Sequence, residues 1–152
     1  MLEDRLTRGL IAGIVSGILM NLESYTSYSF DLNTLRYVDW TSIMMFGHTQ
    51  PFEIGEIIWA QMSNLIFAGL LGIIFIYLIP QVTSKNLLLK GWLYGVLIWI
   101  TIYAFDPILL ELEGITTTPL RTSISNFVGA SIFGLALAWF IKRLTNKSNS
   151  EI

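Results

Sequence analysis

Four long apolar segments, separated by short polar ones, make up most of the chain. They cover residues 6–25, 53–79, 87–105 and 119–141. Each approaches or exceeds the roughly 20 apolar residues that a helix needs to cross a bilayer. The pattern predicts an all-α integral membrane protein with four transmembrane helices, in a single domain that spans residues 1–152.

Two parts of this pattern occur twice. Residues 63–78 read SNLIFAGLLGIIFIYL and residues 125–140 read SNFVGASIFGLALAWF, with serine, asparagine, alanine and glycine in the same places. Residues 8–15, RGLIAGIV, match residues 90–97, KGWLYGVL, in the same way. The repetition predicts that one two-helix hairpin is written twice.

The two hairpins are predicted at about residues 8–80 and 90–142, and the first carries an outer insertion at residues 30–52. Because each copy has two spans, both copies enter the membrane from the same side. They are therefore predicted to be parallel repeats related by a pseudo-two-fold axis along the membrane normal. Convergence is the alternative, since small residues spaced by four recur in unrelated membrane helices.

The first apolar segment is interpreted as a retained span. A cleaved signal peptide would also place Arg5 and Arg8 before an apolar core, but no A-x-A cleavage pattern follows. Gly9, Gly13 and Gly17 fall four apart on one helix face, where they let another helix approach closely.

The basic residues predict the orientation. Cytoplasmic loops carry an excess of lysine and arginine. Arg36 and Arg121 fall on one side of the predicted bundle, and seven basic residues fall on the other. The chain is therefore predicted to be a multi-pass protein of the cell membrane with both termini in the cytoplasm. The cytoplasmic set is Arg5, Arg8, Lys85, Lys90, Lys142, Arg143 and Lys147.

The least apolar stretch is residues 30–51, in which charged residues alternate with aromatic ones. It is too short and too polar to span, and this mixture is typical of the membrane–water interface. It is predicted to form a short helix or loop on the outer face. A second outer feature follows the third span, which is predicted to end or kink at Asp106 and Pro107 before an acidic loop with Glu111 and Glu113.

Polar residues within the spans predict a ligand site. At 1.5 Å per residue, four of them reach a common depth in the outer half of the membrane, and Gln61 continues the same stripe. Glu23 is an acid at similar depth, expected to bond to Asn64, Gln61 or Tyr103, unless the first span ends near Leu22 and Glu23 reaches interfacial water. The candidate ligand-binding residues are Asn21, Glu23, Gln61, Asn64, Tyr103 and Asn126.

No catalytic residue, cofactor or metal site is predicted. The chain has no cysteine and one histidine, and it lacks phosphate-binding, dinucleotide-binding and nucleophile motifs. A metal site at His48, Glu53 and Glu56 is a minor alternative, because both glutamates also suit the first turn of a helix. A net charge of −2 gives no reason to expect nucleic acid.

Three function classes follow. The first is a structural or accessory protein whose partners are the lipid bilayer and another membrane protein or a second copy of the chain. The second is a small transporter or ligand-binding protein that uses the polar layer around Glu23. The third, a membrane enzyme using the outer acidic residues, has the least support because no catalytic motif is present.

The chain also resembles a known group of proteins. The sequences RGLIAGIV at residues 8–15 and WLYGVLIW at residues 92–99, together with the four-span layout, are similar to small uncharacterised bacterial membrane proteins of the YqhR-like kind. The resemblance implies a four-span fold. It implies no activity and identifies no catalytic residue.

Overall fold

The structure is a computed structural model that describes residues 4–82, 85–112 and 119–149, with the side chains of 103–112 and 146–149 outside the description. The described residues form helices and contain no β-strand. The all-α fold class is confirmed. The helices are α1 (Arg5–Ser29), α2 (Tyr37–Phe46), α3 (Ile54–Leu78), α4 (Leu87–Leu112) and α5 (Leu120–Asn149), with a short 3₁₀ turn at Ile79–Gln81.

The long helices are apolar and expose much of their apolar surface. Helices α1, α3 and α5 are long and apolar enough to cross a membrane, and α4 contains a shorter apolar segment, Leu87–Ile102. Many large apolar side chains are exposed on these helices, a surface that a soluble monomer rarely presents. The fold is therefore compatible with a multi-pass membrane protein. Examples on α3 and α4 are Ile66, Phe67, Leu70, Leu93, Leu97 and Ile100.

Local signals in the sequence fix several helix ends. The Asp4 carboxylate accepts a hydrogen bond of 3.1 Å from the Thr7 backbone N–H and so caps α1. At the start of α3, the Glu56 side chain accepts a hydrogen bond of 2.8 Å from the Glu53 backbone N–H. Helix α2 ends at Gly47, whose φ of 69° is left-handed and favours glycine.

Glycines bring the helices together in pairs. Helix α1 packs on α3, where a Cβ added at Gly72 would lie 2.7 Å from the Gly13 Cα. Helix α4 packs on α5, where a Cβ added at Gly134 would overlap the Gly91 carbonyl oxygen. Because these contacts join backbone to backbone, a larger residue would separate the helices. Helix α1 also packs on α5, and α2 packs on α3.

The first helix is longer than the predicted span. It continues past residue 25 to Ser29. Hydroxyl groups in the extra turn donate to carbonyl oxygens four residues earlier, from Thr26 to Leu22 at 2.7 Å and from Ser29 to Tyr25 at 2.8 Å. These bonds satisfy the hydroxyl groups of Thr26 and Ser29 within the helix. The helix can therefore continue through this polar sequence. Glu23 consequently lies inside α1.

Helix α4 continues past the position at which the sequence predicted an end or a kink. Its backbone remains helical past Asp106 and Pro107 to Leu112, so the helix does not end there, and the kink stays a prediction. Proline disfavours helix in the preceding residue without forbidding it. The predicted acidic loop thus begins later than Glu111, which lies on α4, and Glu113 lies outside the described residues.

The insertion forms the predicted short helix, but it packs into the bundle. Val38, Asp39 and Ser42 of α2 are fully buried, and α2 packs on α3. The preceding loop reaches α5, where the Thr34 backbone N–H donates to the Thr122 hydroxyl at 3.2 Å. The polar residues of this segment bind other helices, which is why its composition resembled that of an interfacial segment.

Candidate functional site

Two of the predicted polar residues, Asn21 of α1 and Asn64 of α3, bond to each other. The Asn21 side-chain amide donates to the Asn64 carbonyl oxygen at 2.8 Å and to the backbone oxygen of Gly17 at 2.8 Å. The Asn64 amide in turn donates to the Thr41 hydroxyl at 3.3 Å. This chain of hydrogen bonds links α1, α3 and α2, and it joins Asn21 to Asn64, two of the residues that were predicted at a common depth.

Asn126 has different partners. Its side-chain oxygen accepts a hydrogen bond of 3.3 Å from the Asn33 amide, and its backbone oxygen accepts one of 2.9 Å from the Tyr37 hydroxyl. Asn126 is buried, with 4% of its surface exposed. The structure therefore uses this residue to attach the insertion to α5.

Glu23 faces α5, and its hydrogen bonds are not with Asn64 or Gln61, two of the three partners that the sequence suggested; the third, Tyr103, has its side chain outside the description. The Glu23 Oε1 accepts hydrogen bonds from the Ser27 hydroxyl at 2.6 Å and the Ser125 hydroxyl at 3.1 Å. The reason is helical geometry: residues two apart point about 200° apart around a helix. Asn21 faces α3, so Glu23 is directed to the opposite side.

One oxygen of Glu23 has no hydrogen-bond partner. The buried Oε2 lies 2.8 Å from the position that a Cβ at Gly129 would take, and the Tyr37 hydroxyl lies 2.6 Å from the same position. The Glu23 Oε2 and the Tyr37 hydroxyl oxygen therefore occupy the space that a side chain at residue 129 would fill. Tyr37 also lines the cavity described below, whereas Glu23 does not.

The remaining predicted residues lie at the edge of this region. The Gln61 side-chain oxygen accepts a hydrogen bond of 3.3 Å from the Tyr25 hydroxyl, which joins α3 to α1. Tyr103 lies on α4, and its side chain is outside the described residues. The structure therefore leaves the predicted role of Tyr103 untested.

An ion pair that the sequence analysis did not identify holds the start of α2. Asp39, whose side chain is fully buried, accepts hydrogen bonds from the Arg36 guanidinium at 2.7 and 2.9 Å. The bond to Asp39 raises the pKa of the Arg36 guanidinium. The guanidinium also lies 5.1 Å from the ring centres of Tyr25 and Tyr28. The signal in the sequence was an arginine three residues before an aspartate at a helix start.

A cavity of about 210 Å³ lies between α3, α4 and α5, and α2 covers one side. Next to the lining residue Leu71, the Tyr94 hydroxyl donates to the Leu71 backbone oxygen at 2.8 Å and the Tyr94 ring packs on Phe75. The sequence analysis missed this cavity. The lining residues are Met20, Tyr37, Trp40, Thr41, Met44, Asn64, Phe67, Ala68, Leu71, Gly95, Ile98, Trp99, Ile102, Asn126, Ala130 and Phe133.

The cavity lining is apolar at one end and contains polar groups at the other. No charged residue contributes to it among the described residues. Leu71, Gly95 and Phe133 form the apolar end, whereas Asn64 and Asn126 each lie about two turns away from Leu71 and Phe133 on their helices. Such a lining, mostly apolar with a few polar groups, is typical of small-molecule sites.

The His48 region is a local anchor for the loop before α3. One ring nitrogen of His48 bonds to the Glu56 carboxylate at 3.1 Å and the other to the Thr49 backbone oxygen at 2.9 Å. Glu53 participates through its backbone N–H. Among the described residues no group of three or more metal-ligating side chains is present.

Comparison with known proteins gives one relative. The chain is 26% identical over 147 residues to the uncharacterized protein YqhR of Bacillus subtilis (strain 168), an alignment that covers 91% of this chain and 76% of the relative. The resemblance noted in the sequence is therefore confirmed. No protein-family model matches the chain, and no solved structure matches it. The name of the relative gives no activity, so function must be argued from the site.

Proposed function

We propose that this chain is a membrane protein with four transmembrane helices that binds a small lipid-soluble ligand in the cavity between α3, α4 and α5. The observation that supports the proposal is the cavity itself, because a protein with a purely structural role gains stability by filling such a space. The cavity thus favours the ligand-binding alternative over the structural or accessory role that the sequence favoured first.

The length of α4 supports a fourth span. Its 26 residues would extend about 39 Å, which exceeds a hydrocarbon core of about 30 Å. Its apolar segment, Leu87–Ile102, begins at the same end as the basic residues Lys85 and Lys90. We therefore assign α1, α3, α4 and α5 as the four spans and α2 as the inserted helix.

Equivalent glycine contacts support the proposed internal repeat. In the first hairpin, a Cβ at Gly13 would overlap the Ala68 backbone oxygen; in the second, a Cβ at Gly95 would overlap that of Ala130. Gly13 corresponds to Gly95 and Ala68 to Ala130 in the two repeated sequences. A second contact recurs in the same register, between Gly9 and Gly72 and between Gly91 and Gly134.

A departure from this symmetry explains the cavity. Under the proposed two-fold axis, the α1–α5 contact corresponds to the α4–α3 contact. Helix α1 has the small, fully buried Ala12 and Ser16, where α4 has Tyr94 and Ile98. Close approach of membrane helices requires small residues. Tyr94 therefore holds α4 away from α3, and the space above it forms the cavity.

Helices α3 and α5 also differ in side-chain size at an equivalent position. Gly129 of α5 lies where α3 has Phe67. At Gly129 the side chains of Glu23 and Tyr37 pack against the backbone, whereas Phe67 contributes to the cavity wall. Helices α1 and α5 are therefore joined by Glu23 and its polar neighbours, whereas the proposed ligand site lies between the equivalent helices α4 and α3.

The proposed orientation can be tested with reporter fusions. A reporter that is active only in the cytoplasm should be active after Leu78 or Lys142 and inactive after Asp39 or Glu113, because the basic residues place both termini inside. Enzyme activity of each fusion in intact cells, normalised to its amount in the membrane, provides the measurement. The reverse pattern would refute the orientation without affecting the proposed cavity.

The proposed ligand site can be tested by filling it. Ile98 lines the cavity, so Ile98→Trp should reduce saturable labelling by a diazirine-bearing alkanol at least tenfold, because the indole occupies the ligand volume. The measurement is mass spectrometry of labelled peptides, with and without excess unlabelled alkanol. Saturation separates a defined site from general partitioning into lipid.

Ile100→Trp is the matched control. Ile100 lies on the same helix, is 52% exposed and does not line the cavity. The Ile100→Trp variant makes the same change in side-chain size outside the cavity. Its saturable labelling should therefore equal that of the unmodified protein. Equal labelling of both variants, or only unsaturable labelling of the unmodified protein, would contradict the proposed function.

A further inference from the structure

One side of the cavity is bounded by side chains that are also exposed on the outside of the bundle. Among the described lining residues these are Met44 of α2, Phe67 of α3 and Ile102 of α4, with 57%, 52% and 40% of their surface exposed. A side chain that both lines a cavity and is exposed lies at the rim of an opening. We call this opening the lateral mouth, and its rim is apolar because all three side chains are apolar.

The helix arrangement explains why an opening lies on this side. In the described part of the chain, α3 packs closely on α1 and α2, and α4 packs closely on α5, whereas α3 and α4 are not a closely packed pair. Tyr94 bridges them through its hydrogen bond to Leu71 and its ring contact with Phe75. The lateral mouth thus lies between two helices that do not pack closely on each other.

Hydrogen bonds of α2 bridge the polar end of the cavity. The Tyr37 hydroxyl donates to the Asn126 backbone oxygen at 2.9 Å, which joins α2 to α5, and the Asn64 amide donates to the Thr41 hydroxyl at 3.3 Å, which joins α3 to α2. All four residues line the cavity. A ligand that entered at this end would have to part these bonded side chains, whereas the apolar rim of the lateral mouth has no such bonds to break.

The lateral mouth lies at the depth of the bilayer core. Phe67 is eleven residues before Leu78, the end of α3, and Ile102 is fifteen residues after Leu87, the start of α4. At 1.5 Å per residue, Phe67 and Ile102 lie roughly 16 and 22 Å from these helix ends, within a hydrocarbon core about 30 Å thick. The lateral mouth therefore faces the acyl chains of the surrounding lipid.

We infer that the cavity exchanges its occupant sideways with the bilayer interior, through the lateral mouth between α3 and α4. The ligand is accordingly a molecule dissolved in the acyl-chain region, and it does not arrive from the water at the polar end. This inference rests on the proposed ligand-binding function and specifies the source of the ligand and the residues that it passes.

A phospholipid that carries a diazirine in the middle of one acyl chain tests this route. Its head group holds it in the bilayer, so its chain reaches the cavity only through an opening to lipid. Phe133 reports entry, because it lines the cavity and is only 2% exposed. Irradiation in vesicles should give adducts at Phe133 that excess unlabelled alkanol removes, measured by mass spectrometry at residue resolution.

Two other residues provide internal controls in the same experiment. Leu97 is 60% exposed and does not line the cavity, so the alkanol should leave its adducts unchanged. Leu137 is fully buried and does not line the cavity, so it should carry no adduct. Labelling of Phe133 with these two patterns identifies a lipid chain inside the cavity.

Ile102→Trp tests the assigned mouth by narrowing it. A phospholipid chain must remain in the mouth while its middle is in the cavity, whereas the diazirine alkanol is small enough to lie wholly inside. Labelling of Phe133 by the phospholipid should therefore decrease about tenfold, while saturable labelling by the alkanol is retained. Ile100→Trp makes the same change on the same helix outside the cavity and should leave both signals unchanged.

The outcomes separate the route from the proposed function. Saturable alkanol labelling of Phe133 without phospholipid labelling would overturn the lateral route and leave the cavity as a ligand site. Phospholipid labelling of Phe133 that the alkanol does not reduce, or that is equal in Ile102→Trp and Ile100→Trp, would also overturn it. Absence of saturable alkanol labelling at Phe133 would refute the proposed function itself.

Discussion

Replacing Gly134 with alanine should unfold the contact between α4 and α5. The added methyl group would overlap the Gly91 carbonyl oxygen and lie 3.1 Å from the Gly95 backbone nitrogen. These are backbone atoms, so no side-chain rotation can relieve the overlap and the two helices must separate. We expect a loss of about 2–3 kcal/mol in the free energy of unfolding, at the upper end for overpacking.

Unfolding in mild detergent, followed by circular dichroism against temperature or denaturant, measures this loss. Gly55→Ala is the matched control: Gly55 lies near the start of α3, and an added methyl group meets nothing within 4 Å. Its stability should equal or slightly exceed that of the unmodified protein. If both variants unfold alike, the described α4–α5 contact is incorrect.

Removing the carboxylate of Asp39 should release α2 from the bundle. Asp39→Ala removes three hydrogen bonds that Arg36 donates, one from its backbone N–H and two from its guanidinium. It also leaves the guanidinium without its counter-charge. Losing one partner of a buried pair costs about 3–5 kcal/mol. The Arg36 side chain is 20% exposed, so we expect about 3 kcal/mol for the docking of α2.

Hydrogen exchange resolves this effect by segment. The amides of Tyr37–Phe46 should exchange roughly a hundredfold faster in Asp39→Ala, while those in the middle of α3 should be unchanged. Arg36→Lys retains the charge but loses the two-pronged geometry, so it should accelerate exchange of the same segment far less. Slow exchange of α2 in Asp39→Ala would show that the ion pair does not hold this helix.

Loss of α2 should also affect the cavity, since four residues of that helix line it. Saturable labelling by the diazirine alkanol should therefore decrease in Asp39→Ala and be largely retained in Arg36→Lys. The four residues are Tyr37, Trp40, Thr41 and Met44.

Features that depend on one helix alone were predictable from the sequence. The apolar segments located the long helices, and the glycine spacing identified the faces on which α1 meets α3 and α4 meets α5. Asn21 and Asn64, which were predicted at a common depth, are hydrogen-bonded to each other. Each of these follows from a periodic pattern, and a helix converts such a pattern directly into a face or a depth.

Features that depend on which faces meet were not predictable in this way. Depth placed Glu23 near Asn64, but Glu23 lies on the side of α1 that faces α5, and only the packing of α5 shows what Glu23 contacts. The cavity lies between α3, α4 and α5, and no periodic pattern within one helix indicates how far apart these helices lie. The polar residues of the insertion fitted an interfacial helix equally well, because composition does not distinguish water from a buried partner such as Thr122.

The attachment of the insertion to α5 has a consequence for the order of assembly during synthesis. Thr34 and Tyr37 bind residues that are 88 and 89 positions later in the chain. At ribosomal rates these partners emerge roughly 5–20 s after the insertion itself. Helix α2 can already pack on α3 within the first hairpin during that interval, whereas the hydrogen bonds of the insertion to α5 can form only after α5 has been synthesised.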